Sequence, residues 1–572
     1  MERLMPALEP SPPLPGKTPV DLGELQRQDL VRSLLYKEKL HPLVAEAVAA
    51  RLDRMPPGKR VGLYGCGSIA RVLVAGHGPS LARHRPLFLV TDPQGMDTFQ
   101  GYPVAAAAAL RKQPPDLVLI LNVRFEEAMA AQVDYLPPDR VHRLRPLLQE
   151  HGLAPLLERV EAAIHRSVAQ ALPEIEARLP AGRKRILFLT SNPPLHLVKI
   201  MAEAVRQGYG VVVVADFPRA AQAGVLRGYA DQGWFHALHL AEYSLAREFL
   251  LLERSLAPHV DHLEVSMEPP HAADLVLAAR TAPVAVEYRD FPQTVFRNRE
   301  DALRTLGRRP EEYDQEQDAH RRIYLGADGI IMKDAPETLD FLEGLYRYRP
   351  PRVLQFLPYV NEDLAPAGPV EKLSARTGEP HVVYAGGVVD DPGWHNYPIC
   401  HSLLTAGRIL ADQGIHLTVY NAADAGGGFQ EYRELDRQCR YFHYHPQVPY
   451  RDLKDLLPRH DFGWFCFDFR EARENPLFHR ITFGSKVFTY LEAGLPVLIS
   501  PEQEFMARMV TETLGSGITV PFQDLHRLGR VLREQDWPRI RARMAEARSQ
   551  WTYARHGHEL RAFYDALAGS RP

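Results

Sequence analysis

The chain has 572 residues, too many for one hydrophobic core when a domain usually takes about 100–200, so three or four units are expected. Its 68 Lys and Arg against 71 Asp and Glu give a formal charge of -3, which argues against the concentrated basic face of a nucleic-acid binder. Hydrophobic residues at 45% and charged residues at 24% are ordinary for a folded domain protein, and no run of 18 apolar residues offers a membrane span.

The first 20 residues, Pro-rich with no apolar leader core, read as a loose tail, and Asp21 to Arg54 as helix. Next, "KRVGLYGCGSIARVLVAG" runs from strand through glycines into helix, and "PLFLVTD" and "PDLVLILN" complete a small alternating β/α unit. Within it Gly65-x-Gly67-x-x-Ala70 matches a dinucleotide-binding turn, with Ser68 opening the helix and Asp92 ending the next strand where an acid can hold a ribose. Small residues in a tight strand-helix turn explain the same pattern without any ligand. NAD(P) or another nucleotide is the cofactor this turn would take; no Tyr-x-x-x-Lys pair accompanies it.

Leu147 to Leu179 reads as an amphipathic helical connector. A second alternating series follows: "RILFLT", "VVVVAD", "HVDHLEV", "APVAVEYRD", "DGIIMK" and "RVLQFLPY". After a polar stretch at about 361–380 comes a third: "HVVYAGG", "HLTVYNA", "YFHYHPQV", "DFGWFCF", "PVLIS" and "GITV". Apolar strands separated by helical stretches predict an α/β fold of tandem, mainly parallel αβα sheets, with a ligand cleft between the strand C-terminal edges. Cys66, Cys400, Cys439 and Cys466 are widely spaced with no C-x-x-C pair, which predicts a reduced compartment and no cysteine zinc site.

Three passages carry a family resemblance. "AHRRIYLGADGIIMKDAPETLDFLEGLYRYRPPRVLQFLPYVNEDLAP", "HVVYAGGVVDDPGWHNY", and "VPYRDLKDLLPRHDFGWFCFD" with "GSKVFTYLEAGLPVLIS" together resemble a GT-B glycosyltransferase, most closely the large retaining group 1-like set. The resemblance implies a tail and N-terminal helices at 1–57, a Rossmann-like domain at 58–145 and a connector at 146–183. It then implies an acceptor domain at 184–365, a donor domain at 366–545 and a C-terminal helix at 546–572. It further implies metal-independent hexosyl transfer from a nucleotide sugar to a glycan, lipid-linked or protein acceptor, with no required cofactor. The expected setting is cytoplasmic, with at most peripheral membrane association.

On the family pattern, Lys486 falls where a lysine meets the donor diphosphate, and Gly484 and Ser485 where backbone N–H groups approach it. Elementary electrostatics points the same way, since a helix start offers free N–H groups and a lysine adds a full charge. Gly386 and Gly387 form the first glycine loop of the donor domain. The family's ribose-binding glutamate is replaced by Thr489, with Glu492 one turn later; its loop arginine is absent, and Asp390 and Asp391 follow instead. Arg470, Arg473, His479 and Arg480 are expected to supply missing positive charge, because an arginine fork pairs with two phosphate oxygens. Candidate acceptor or catalytic residues are Asn192, His196, Glu268 and Asp290, with His271 and Arg289 at neighbouring strand ends. Two other readings remain: a non-catalytic GT-B relative that binds a nucleotide sugar or glycan and organises a partner enzyme, and an oxidoreductase built on the front domain.

Overall fold

The computed structural model describes residues 21–569 apart from 94, 123–125, 192, 217–219, 307–308, 367, 369, 389–397, 425–427, 447, 471 and 473. Three α/β sheets follow one another along the chain. The first has the spatial order Thr98–Phe99, Tyr102–Ala106, Arg85–Val90, Arg60–Tyr64, Leu117–Ile120, Val141–Arg143, parallel except for the hairpin between its first two strands. That hairpin is "FQGYPV", where Gln100 and Gly101 both take positive φ, 53° and 84°. Two such residues in a row make a tight turn.

The second sheet is wholly parallel, in the order Val353–Gln355, Gly329–Met332, Val284–Tyr288, Val260–Ser266, Arg185–Ser191, Gly210–Asp216, Ala237–Leu240. The run "GVVVVAD" is buried along nearly its whole length, as expected for a β-branched strand covered by helices on both faces. The third sheet is parallel as well, in the order Phe442–His445, His416–Asn421, His381–Gly386, Phe462–Phe465, Val497–Ile499, Gly517–Thr519. Tandem parallel αβα sheets are thus what the alternation of the sequence predicts.

Three local readings change. The expected helix Asp21–Arg54 is two helices, Leu22–Tyr36 and His41–Asp53, because Lys37 is extended between them. The connector spans Leu144–Arg178 but breaks at Gly152, whose φ of 97° no helix accommodates. An edge strand, Ala237–Leu240, joins the second sheet although its short polar-apolar alternation gives little signal.

The last helix, Tyr553–Ala568, crosses back onto the second sheet. Tyr564 donates its hydroxyl to the buried Glu264, and a side chain at Gly329 would strike the Phe563 ring. At the crossing, Val360 N–H donates to Trp551 O at 2.9 Å and Tyr553 N–H to Val360 O at 3.1 Å. One apolar core therefore runs from Ile186 and Phe188 through Phe356 and Tyr359 into the third sheet. A continuous core of this kind joins the two lobes as a hinge while their strand C-terminal ends face a common gap.

Candidate functional site

In the third sheet, strand order reverses between His381–Gly386 and Phe462–Phe465, which is the crevice position where open α/β sheets take ligands. Lys486 sits over this point. Its Nζ lies 5.5 Å from the centre of the Tyr384 ring and 5.6 Å from that of Phe465, one aromatic from each of the two diverging strands. A side chain on Gly386 would collide with Lys486 Cε and fall 2.9 Å from Nζ, so the absence of one lets the lysine lie across the strand end. Tyr384 is held in place by donating its hydroxyl to Gly387 O at 2.9 Å.

Lys486 has neither a carboxylate partner nor a hydrogen bond among the described residues. Burial first, then repulsion from Lys333 of the other lobe, pushes its ammonium down to about 8, with Asp290 pulling upward. The helix it heads, Lys486–Glu492, has only seven residues. Positive potential at this point therefore comes mainly from the ammonium, and less from the helix dipole that the sequence suggested.

Across the gap, Lys333 follows the strand Gly329–Met332 and donates to Asp290 at 3.0 Å and to Asp334 at 3.4 Å. Asp290 also accepts from Thr482 Oγ1 at 3.2 Å, and Asp334 from Phe483 N–H at 3.0 Å, so the lobes meet here through side chains from both. Lower down, Arg297 donates to Ala472 O at 2.8 Å and Asn475 N–H to Val295 O at 2.9 Å, which closes one flank.

Several expected site residues have other employment. Glu492 is not poised for a ribose: it forms a buried ion pair with Lys199 and accepts from Asn361 N–H at 2.8 Å, binding the lobes together below the cleft. Gly484 does not offer a free N–H, which instead points to Met506 Sδ at 3.0 Å; a side chain there would lie 2.7 Å from Phe465 Cζ. Arg480 is turned to Glu504 at 2.9 Å on the surface, Arg470 is paired with Asp468, and His479 is buried beside Glu474, so no cluster of free cations forms around Lys486 among the described residues. Asn192, Arg473, Asp390 and Asp391 lie outside the described residues. Ser485 caps the helix without a side-chain hydrogen bond.

On the second sheet's side of the gap, Glu268 faces Arg289 at 3.8 Å and is half exposed. His196, in the first turn of Leu195–Arg206, is 2% exposed with both ring nitrogens unpartnered among the described residues. Burial together with Lys333, Lys199 and Arg289 lowers it to about 3, so it is neutral at physiological pH. Lys333 and Tyr384 were missed by sequence reading; a lone lysine directly after the apolar run "DGIIM" was the available signal for the first.

In the front domain, strand order reverses between Arg60–Tyr64 and Leu117–Ile120. Gly65 has a φ of 114° there, Gly67 precedes the helix Ser68–Ala82, and Asp92 is exposed beyond Arg85–Val90. Among the described residues, no helix is long and apolar enough to cross a membrane.

Two αβα lobes with facing strand ends, a shared core and a returning C-terminal helix define the GT-B fold. Solved structures similar to this chain include sucrose-phosphate synthase from Thermosynechococcus elongatus, at 12% identity over 68% of this chain and 100% of that one with a TM-score of 0.47. Others are TcCGT1 in complex with UDP (15% identity, 68% and 98%, TM-score 0.42) and S. aureus MnaA with UDP (11% identity, 68% and 99%, TM-score 0.42). No protein-family model matches the sequence, and no curated protein matches it either.

Proposed function

We propose that the protein is a glycosyltransferase that binds the diphosphate of a nucleotide-sugar donor at Lys486, over the switch point of the third sheet. The observation that carries this reading is a lysine ammonium, desolvated and unpaired among the described residues, laid across a glycine strand end and facing Lys333 of the other lobe. A cation taken largely out of water without a partner is unfavourable until an anion arrives, and a diphosphate supplies the missing charge. Gly386 makes room for the lysine itself, and Gly387 leaves open space for phosphate oxygens.

As the bond from the sugar to the leaving diphosphate breaks, negative charge grows on the departing oxygens. A fixed ammonium held in a water-poor site stabilises that charge without having to reorganise. Asp290 and Glu268, just past strand ends of the second sheet, and His196, in the first turn of the helix Leu195–Arg206, are proposed to meet the acceptor. Transfer with retention, without a metal and in the cytoplasm, is the form of the activity that the family resemblance supports. The front domain, with its positive-φ glycine at a switch point, is proposed as an accessory nucleotide-binding unit.

A thermal-shift series with UDP, ADP and GDP on the full chain tests the donor site. Stabilisation by at least one, lost in Lys486→Ala, is expected. Stabilisation by none removes the donor reading. Stabilisation with no sugar turnover favours the non-catalytic alternative.

A further inference from the structure

The second sheet carries a line of buried polar side chains for which the donor site has no use. In the strand register Glu287 stands beside Ser266 on one side and Ile331 on the other. Phe188 stands beside Glu264, so Thr190, two residues further, continues the line next to Ser266. Side chains in register on parallel strands share a face. Thr190, Ser266 and Glu287 thus form one polar row across three adjacent strands, on a face that also carries Glu264 and His262, one and two steps back along the middle strand, among Ile186, Phe188, Ala285 and Ile331, Glu264 being matched by the Tyr564 hydroxyl. The row spans the point where strand order reverses in this sheet, between Arg185–Ser191 and Val260–Ser266.

All three residues are 2% exposed or less. Yet both carboxyl oxygens of Glu287 and the hydroxyl of Thr190 have no hydrogen-bond partner among the described residues, and the two ring nitrogens of His196 are in the same condition. Each buried group left unmatched costs about 1–3 kcal/mol, a burden that folded proteins keep where another molecule completes the bonding. One step further along the strands lie Glu268, Arg289 and Lys333, at the rim of the gap. Arg289 and Lys333 act on Glu287 and on His196 alike, and Lys333 acts on Lys486 as well. The row therefore lies beneath the rim that faces the donor lysine.

We propose that Glu287, with Thr190 and His196, forms the floor on which an acceptor hydroxyl is held, and that the acceptor is a polyhydroxylated, sugar-like molecule. This rests on the transfer reading of the cleft. A hydroxyl can donate to one of these groups while accepting from another, which matches a floor of mixed donors and acceptors. An apolar acceptor would bury the same five atoms unpaired, the discrimination that polar sites exert most strongly. Burial raises the Glu287 carboxyl to about 7, with Arg289 and Lys333 opposing, so near neutrality it exists in both the accepting and the donating form. Access requires the contacts of Thr482 with Asp290 and of Phe483 with Asp334 to open, since these join the lobes above the row.

The test is ligand-observed saturation-transfer NMR on the full chain, with methyl α-glucoside, maltotriose and 1-naphthol as probes, with and without UDP. A saccharide is expected to bind, with affinity reduced tenfold or more in Glu287→Leu and less in Glu287→Gln. Both variants should keep the wild-type thermal shift with nucleoside diphosphate, which also shows that they fold. Binding of 1-naphthol but no saccharide, no saccharide binding at all, or equal saccharide binding by wild type and Glu287→Leu would each overturn the proposal. A nucleoside diphosphate that fails to stabilise wild type, alongside Glu287-dependent saccharide binding, would instead strike the donor reading and leave the floor standing.

Discussion

Replacing Lys486 by Met is expected to make the unliganded protein more stable and the donor site useless. The free ammonium is pushed from the usual 10.5 to about 8 by burial and by Lys333. At 1.36 kcal/mol for each tenfold change, that corresponds to a penalty on the order of 3 kcal/mol for the charged form. The sign follows from linkage: the folded state holds this proton less tightly than the unfolded one, so the penalty is complete below pH 8 and is relieved as pH rises from 8 toward 10.5. Methionine has similar length, fills the same space over Tyr384 and Phe465, and carries no charge to desolvate. Differential scanning fluorimetry at pH 7 should show the unliganded melting temperature of Lys486→Met raised by several degrees, since about 1 kcal/mol moves a lobe of this size by roughly 2–4 °C. The same variant should lose a charge-assisted contact worth about 1.5–3 kcal/mol with a nucleoside diphosphate, or roughly 10- to 150-fold in affinity. If Lys486→Met is less stable than wild type and still shows the full shift with diphosphate, the lysine is a structural residue and the argument fails.

Diphosphate affinity in the wild type should be level up to about pH 8 and then fall as Lys486 loses its proton, which calorimetry across pH 7–10 would show and which Lys486→Met should not. Gly386→Val places a side chain where the lysine now lies; diphosphate binding should weaken by about tenfold, the value of one displaced contact, while circular dichroism stays unchanged. Breaking the interlobe pair by Lys199→Met leaves Glu492 buried and charged, and denaturant unfolding should record a loss of about 3–5 kcal/mol, largely recovered in the double variant with Glu492→Leu. At the opposite end of the third sheet, His381 stacks on His416, which shares a hydrogen bond with His443 at 2.9 Å. Burial and neighbouring histidines lower His381 to about 4, and burial lowers His460 to about 3. The unfolded chain takes up these protons near pH 6.5 while the folded one refuses them, so stability should fall by several kcal/mol between pH 6.5 and 3, and His381→Phe should flatten part of that slope.

Most strand segments of the second and third sheets were legible because buried parallel strands must be almost continuously apolar, and helices between them must not be. Runs such as "VVVVAD" and "PVLIS" have little other use, and their alternation with longer helical stretches dictates a tandem αβα arrangement. The place of Lys486 was legible for a related reason: a charge opening an otherwise buried helix, right after Gly484 and Ser485, sits where the chain comes back to the surface of the core. The partners of charges were not legible. Arg480 and Glu504, or Lys199 and Glu492, are brought together by packing between elements, and nothing local in either stretch announces the other. Glu287 illustrates the same limit. Inside "APVAVEYRD" it is one acid in an apolar strand, and only the register of three strands shows that it shares a buried row with Thr190 and Ser266. Sequence by itself determined most of the strands and helices, because the apolar pattern that buries a segment is a property of its own side chains. Tertiary structure alone decided which charges are neutralised and which are left open, because the energy of a charge depends on what lies within a few ångströms of it in space, however far away in the chain.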